Sequence, residues 1–169
     1  MTSPSASTSP EPRDPGLRDE LVAMAANTDP QFRAVRAERL WEILDDYESW
    51  PGWRLVGRDG AAAAWLVAQS AIDDVGLERR CLEMLEIAVA CGDADPVHFA
   101  YLADRVRMND GRDQLYGSQF VLGADGDLEP WPVDDPAAVD ARRAQLGLTS
   151  FADHAETMRT QWRRRRDQV

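Results

Sequence analysis

Three short stretches place polar side chains where apolar ones would be expected, and their types and spacing could do chemistry. The first is AWLVAQSA (64–71), where Gln69 and Ser70 interrupt an apolar run and Trp65 stands one helical turn before Gln69. The second is PVHFAYLADRVRMND (96–110), where helical spacing sets Asp104 on the same stripe as Val97, Ala100, Tyr101 and Met108, with Arg105 beside it. The third is QLYGSQF (114–120), a dense set of neutral donors and acceptors: Gln114, Tyr116, Ser118 and Gln119. A buried polar group without a partner costs roughly 1–3 kcal/mol, so each needs a structural partner or a cavity whose ligand supplies one. A shared cavity makes Asp104 the proton-transfer group, with Tyr116 assisting. Gln69, Ser70, Arg105, Gln114 and Gln119 then orient a ligand against the Trp65 wall. The alternatives are structural. Asp104 can fix the docking of a hairpin through an arginine or backbone bond, QLYGSQF can be a polar edge strand, and Gln69 and Ser70 can close a helix end.

The elements that must position these residues are mostly helices. Leu17, Leu21 and Met24 mark a helix from 17 to about 26, and Asp29-Pro30 opens a second that keeps an apolar face to about residue 48. WPGW (50–53) breaks it, and an apolar helix follows Asp59-Gly60. Further helices run from about 77 to 91, from Asp95-Pro96 to about 109, from Asp135-Pro136 to Gly147, and from a Ser150/Asp153 capping box to the end. Between them, QLYGSQFVL, GADGD and LEPWPV read as a β-hairpin over about 114–133 with Asp125-Gly126 in the turn. Alternation puts Gln114, Tyr116, Ser118 and Phe120 on one strand face, and Gly117 marks a bulge or a close approach. The expected class is mainly α, a compact helical bundle or short helical stack with one hairpin. Its organisation is a disordered Ser/Thr/Pro-rich arm (1–16), one domain (17–162) and a basic tail (163–169).

Composition excludes several function classes. The chain has 169 residues and a formal net charge of −11, with no basic stripe of the kind phosphate backbones require, so nucleic acid is not an expected partner. All 19 basic residues are arginine, which rules out a Schiff-base or general-base lysine. The arginines at 163–166 read as favourable charge at a helix C-terminus or as a frayed tail. Cys81 and Cys91, on one helix, stand about 15 Å apart at a rise of about 1.5 Å per residue, so two reduced thiols in a cytoplasmic protein are expected. No secretory h-region or membrane-length apolar run occurs. Metal-ligand spacing, a phosphate-binding loop and a dinucleotide fingerprint are also lacking, so no metal or cofactor is expected. His98 and His154 read as surface residues.

The blocks GAAAAWLVAQSA, FAYLADRV, GRDQLYGSQF and DPAAVDARRAQLGL resemble a bacterial family known only as a domain of unknown function, over roughly Gly57 to Leu148. Its pattern is Gln-His-Ala, Tyr-Leu-x-Asp-Arg-Val and Gln-x-Tyr-Gly-Thr-Gln. The resemblance implies that Gln69, Asp104, Arg105, Gln114, Tyr116 and Gln119 hold the signature positions. Ser70 stands in place of the family histidine and Ser118 in place of its threonine. The leading expectation is a small metal-free enzyme of bacterial metabolism that cyclises, isomerises or hydrolyses a small organic molecule by acid–base catalysis. The rival is a non-catalytic protein that binds a small molecule or a protein, and Ser70 favours it. A third reading, a helical stack that binds a peptide, predicts a long apolar groove.

Overall fold

A computed structural model describes residues 11–168. It is mainly helical with one two-stranded hairpin, and its contacts gather into two compact units that meet in sequence at Asp95-Pro96. Among the described residues the first unit holds α1 (Pro15–Ala26), α2 (Arg33–Tyr47, entered through a 3₁₀ turn at Pro30–Phe32), α3 (Trp53–Ser70) and α4 (Val75–Ala90). The second holds α5 (Pro96–Asn109), β1 (Phe120–Leu122), β2 (Leu128–Pro130), α6 (Val139–Gln145) and α7 (Phe151–Arg166).

In the first unit α1 packs along α3, and the core is built from Leu17, Leu21, Leu40, Ile43, Val67 and Leu85, all buried. Two carboxylates set its geometry by the same device. Asp14 caps α1 by accepting from Leu17 N at 2.9 Å, and its second oxygen accepts from Tyr47 Oη on α2 at 2.6 Å. Asp74 caps α4 by accepting from Leu77 N at 2.9 Å, and its second oxygen accepts from Trp41 Nε1, also on α2, at 2.9 Å. One short side chain thus starts a helix and fastens it to a neighbour.

Helix α3 begins at Trp53, earlier than the apolar run suggests, and is interrupted at Gly57 (φ 73°, ψ 173°). That conformation is open only to glycine. The break leaves the carbonyls of Arg54 and Leu55 without helical partners, and they accept from Arg13 N (3.2 Å) and Asp14 N (2.8 Å). Residues 13 and 14, expected in a disordered arm, are therefore fastened to α3, and α1 starts at Pro15. Residues 1–10 of that arm lie outside the described residues.

In the second unit β1 and β2 pair antiparallel, with Phe120 opposite Pro130 and Leu122 opposite Leu128. The hairpin turn rests on α7. Arg159 donates to Leu128 O, Trp162 Nε1 to Gly126 O, Arg163 to the Asp127 carboxylate, and Arg166 to Gly126 O. Spacing of three and four brings these four side chains to one face. The arginines read as a charge-compensated or frayed end are helical to Arg166, and two of them form part of this contact. Ser150 and Asp153 form the expected capping box, with Asp153 N donating to Ser150 Oγ at 3.1 Å.

Candidate functional site

Residues 114–119 do not continue the strand, contrary to the alternation in QLYGSQF: Gln114, Gly117, Ser118 and Gln119 are all buried. The reason is Asp104, fully buried on α5. Its Oδ1 accepts from Leu115 N (2.7 Å) and Tyr116 N (3.0 Å); its Oδ2 accepts from Ser118 N (3.0 Å) and Ser118 Oγ (2.9 Å). Successive main-chain N–H groups pointed at one carboxylate form an anion-binding concavity, and here the chain fills it with its own side chain. An extended strand cannot aim three consecutive-region N–H groups at a single point, so the segment wraps.

The loop's two ends are joined by one glutamine. Gln114 Oε1 accepts from Gln119 N at 2.7 Å, while its Nε2 donates to Gln119 O at 3.1 Å and Trp131 O at 2.6 Å. The amide thereby imitates a strand partner for Gln119. Gln119 donates through Nε2 to Tyr101 O (3.3 Å) and Ser118 Oγ (3.0 Å), and its Oε1 accepts from Arg105 Nε (2.7 Å). On the outer side the loop carbonyls meet two cations: Arg142 Nε donates to Leu115 O at 2.7 Å and buried Arg143 Nη1 to Tyr116 O at 2.7 Å. Gly117 (φ 70°) gives the turn its hand, and an added Cβ would lie 2.5 Å from Phe151 Cε2. That is the close approach its place in the sequence suggests.

These contacts sort the expected site residues. Asp104 has four donors on a carboxylate with about four acceptor positions, which is the anchoring geometry rather than one open to a substrate proton. Gln114 and Gln119 have both amide atoms engaged, and Arg105 is committed through Nε. Tyr116 differs: its main chain is held, its ring is half-buried, and its hydroxyl makes no hydrogen bond within the described residues. In the first unit, Ser70 Oγ donates to Val67 O at 2.8 Å, which closes the end of α3. Gln69 is half-buried, with Nε2 enclosed and without a partner, and Trp65 is half-buried with a partner of its own.

His154 is the residue that sequence reasoning assigned elsewhere. It is half-buried on α7, its ring meets Tyr101 and Phe120 edge-on at 6.3 and 5.6 Å, and its Nε2 is enclosed without a partner. Burial, then the charge of Arg143, holds its pKa below the ordinary histidine value, so the imidazole is neutral at pH 7. The only sequence signal was its place on α7, which carries the four hairpin contacts further along.

Among the described residues, no group of three or more His, Cys, Asp or Glu side chains could hold a metal ion, and no helix is long and apolar enough to cross a membrane. Comparison with family models gives one over residues 15–162, for a family of unknown function, DUF6624. Neither a curated protein nor a solved structure matches the chain.

Proposed function

The chain belongs to that family of unknown function, and from its geometry we propose that it binds a small polar organic molecule through the hydrogen-bonding groups its own fold leaves unsatisfied. The observation that carries this reading is the division of the expected site residues into two sets. Asp104, Gln114 and Gln119 are saturated and act as a frame, whereas the Tyr116 hydroxyl, on the residue that frame holds, has no hydrogen-bond partner among the described residues. A rigid loop holding one free donor–acceptor is what ligand orientation requires. Gln69 Nε2, enclosed and unpaired in the first unit, is a separate candidate contact, tested separately.

Non-catalytic binding is the reading supported best, because the carboxylate expected to move protons is fully occupied and Ser70 is tied to the backbone. Acid–base catalysis in cytoplasmic bacterial metabolism is the second reading, favoured by one observation: His154 is a neutral imidazole with a free ring nitrogen, able to accept a proton. The test is a thermal-shift screen of small polar metabolites, followed by titration of any hit against Tyr116→Phe, Gln69→Leu and His154→Gln. Binding lost in Tyr116→Phe supports the proposal, and turnover abolished in His154→Gln promotes the second reading. A hit whose affinity Tyr116→Phe and Gln69→Leu leave unchanged overturns the assignment.

A further inference from the structure

We propose that the first unit carries a second, independent binding cavity, for an organic carboxylate with an apolar body. A cavity of about 520 Å³ lies where α2 ends, α3 begins and α4 ends. Its volume falls within the roughly 300–1,000 Å³ of small-molecule sites. Trp50 and Met84 give it a fixed apolar wall, only 4% and 8% exposed, while Ile87 at 66% exposure leaves an apolar side chain open to solvent at its edge. An apolar ligand body covering Ile87 would remove from water a side chain the fold leaves there.

Two arginines share this cavity. Arg13 is exposed and has no ion pair among the described residues, and the helix break at Gly57 fixes its place by giving Arg13 N the carbonyl of Arg54. Arg54 reaches Cys91 O through Nη2 at 3.2 Å and stands 3.9 Å from Asp93. Asp93 is already committed to the start of α3, accepting from Trp53 N through its carbonyl and from Arg54 N through Oδ1, both at 2.8 Å. The second carboxylate of the lining is Glu48, an exposed residue held in the left-handed region (φ 47°) at the end of α2. Asp93 keeps its charge and pairs with Arg54, so Arg13, beside the apolar wall and without an ion pair among the described residues, is the guanidinium left to receive a carboxylate.

Cys91 supplies the readout. It is exposed and lines the cavity, whereas Cys81 is buried and burial pushes its thiol pKa up, so a thiol reagent labels the first and spares the second. The full chain is labelled with an aromatic disulfide reagent in the presence of 3-phenylpropanoate, its amide, its amine analogue, or acetate. The expected result is that 3-phenylpropanoate slows labelling at Cys91 and the other three do not. Arg13→Ala should raise the half-protecting concentration up to about fivefold, the scale of an exposed ion pair. Glu48→Gln should lower it, and Ile87→Ser should raise it with the helical signal unchanged. Protection by the amide or amine equal to that by the acid, by acetate alone, or by none of the four up to about 10 mM overturns the proposal.

Discussion

A single carboxylate repeatedly does the joining in this chain, and Asp104 is the buried instance. Asparagine at that position keeps the shape but turns an NH₂ toward main-chain donors, so Asp104→Asn leaves N–H groups of the loop facing a donor. Loss of charge-assisted bonds and the unsatisfied groups together cost about 2–4 kcal/mol. Urea unfolding reads this directly, and wild-type stability in the variant would remove the anchoring role. His154 carries a prediction in pH. Its folded pKa lies below the unfolded value of about 6.5, so the unfolded state binds the proton more readily as pH falls. Its contribution to stability is complete above the unfolded pKa and is lost as pH drops from there through the folded value. The carboxylates of Asp14, Asp59 and Asp127, held below their ordinary value by hydrogen bonds, lose their contribution only at lower pH, below about 4. Thermal unfolding between pH 7.5 and 5.5 should therefore fall in the wild type and flatten in His154→Gln. Asp104 was legible as a carboxylate on an apolar face. A backbone bond docking the hairpin was among its readings and is what forms, but which N–H groups it takes was not legible, because main-chain N–H groups carry no residue code.

Among the elements, the hairpin turn was readable from Asp125-Gly126, and helix starts from Asp95-Pro96 and the Ser150 box. Asp29-Pro30, by contrast, opens only a 3₁₀ turn before α2. The helix expected from Asp135-Pro136 starts at Val139, because Asp135 takes a left-handed conformation (φ 49°) and not that of a helix cap. The segment before the hairpin was misread, since local alternation describes a strand only when no stronger acceptor competes for its N–H groups. Gly117 holds that competition open. Gly117→Ala meets both a positive φ and the Phe151 ring, and should cost about 2–4 kcal/mol. Phe151→Leu in the alanine background should recover the steric part and leave the backbone part, which a double-mutant cycle separates. The contact between α7 and the hairpin divides unevenly. Trp162→Phe removes the bond to Gly126 O at a cost of about 1 kcal/mol, whereas Arg163→Ala, at a partly exposed pair, costs less than about 1 kcal/mol. A larger loss from Arg163→Ala than from Trp162→Phe, by chemical denaturation, would reverse that ranking.

For the molecule as a whole, one domain was expected from length, 169 residues being ordinary for one, while Asp95-Pro96, where the two compact units meet in sequence, was read as the opening of a helix. Net charge was readable from composition alone, and it carries a prediction that does not depend on any site. Thirty acidic residues face 19 arginines, leaving −11 to repel itself in the folded state. Most ion pairs sit at the surface, where each contributes little and where contact distances make screening weak. The excess negative charge acts over longer distances, beyond the Debye length of about 10 Å at 0.1 M salt, and is screened efficiently. Repulsion therefore decides the sign: raising sodium chloride from low ionic strength to about 0.3 M should raise Tm at pH 7.5. A fall in Tm over that range would mean that the arginine–carboxylate pairs outweigh the net charge. Replacing the exposed Glu38 by glutamine and Asp46 by asparagine, neither in an ion pair among the described residues, should then separate the cases, by reducing the salt dependence if repulsion governs and leaving it unchanged if the pairs do.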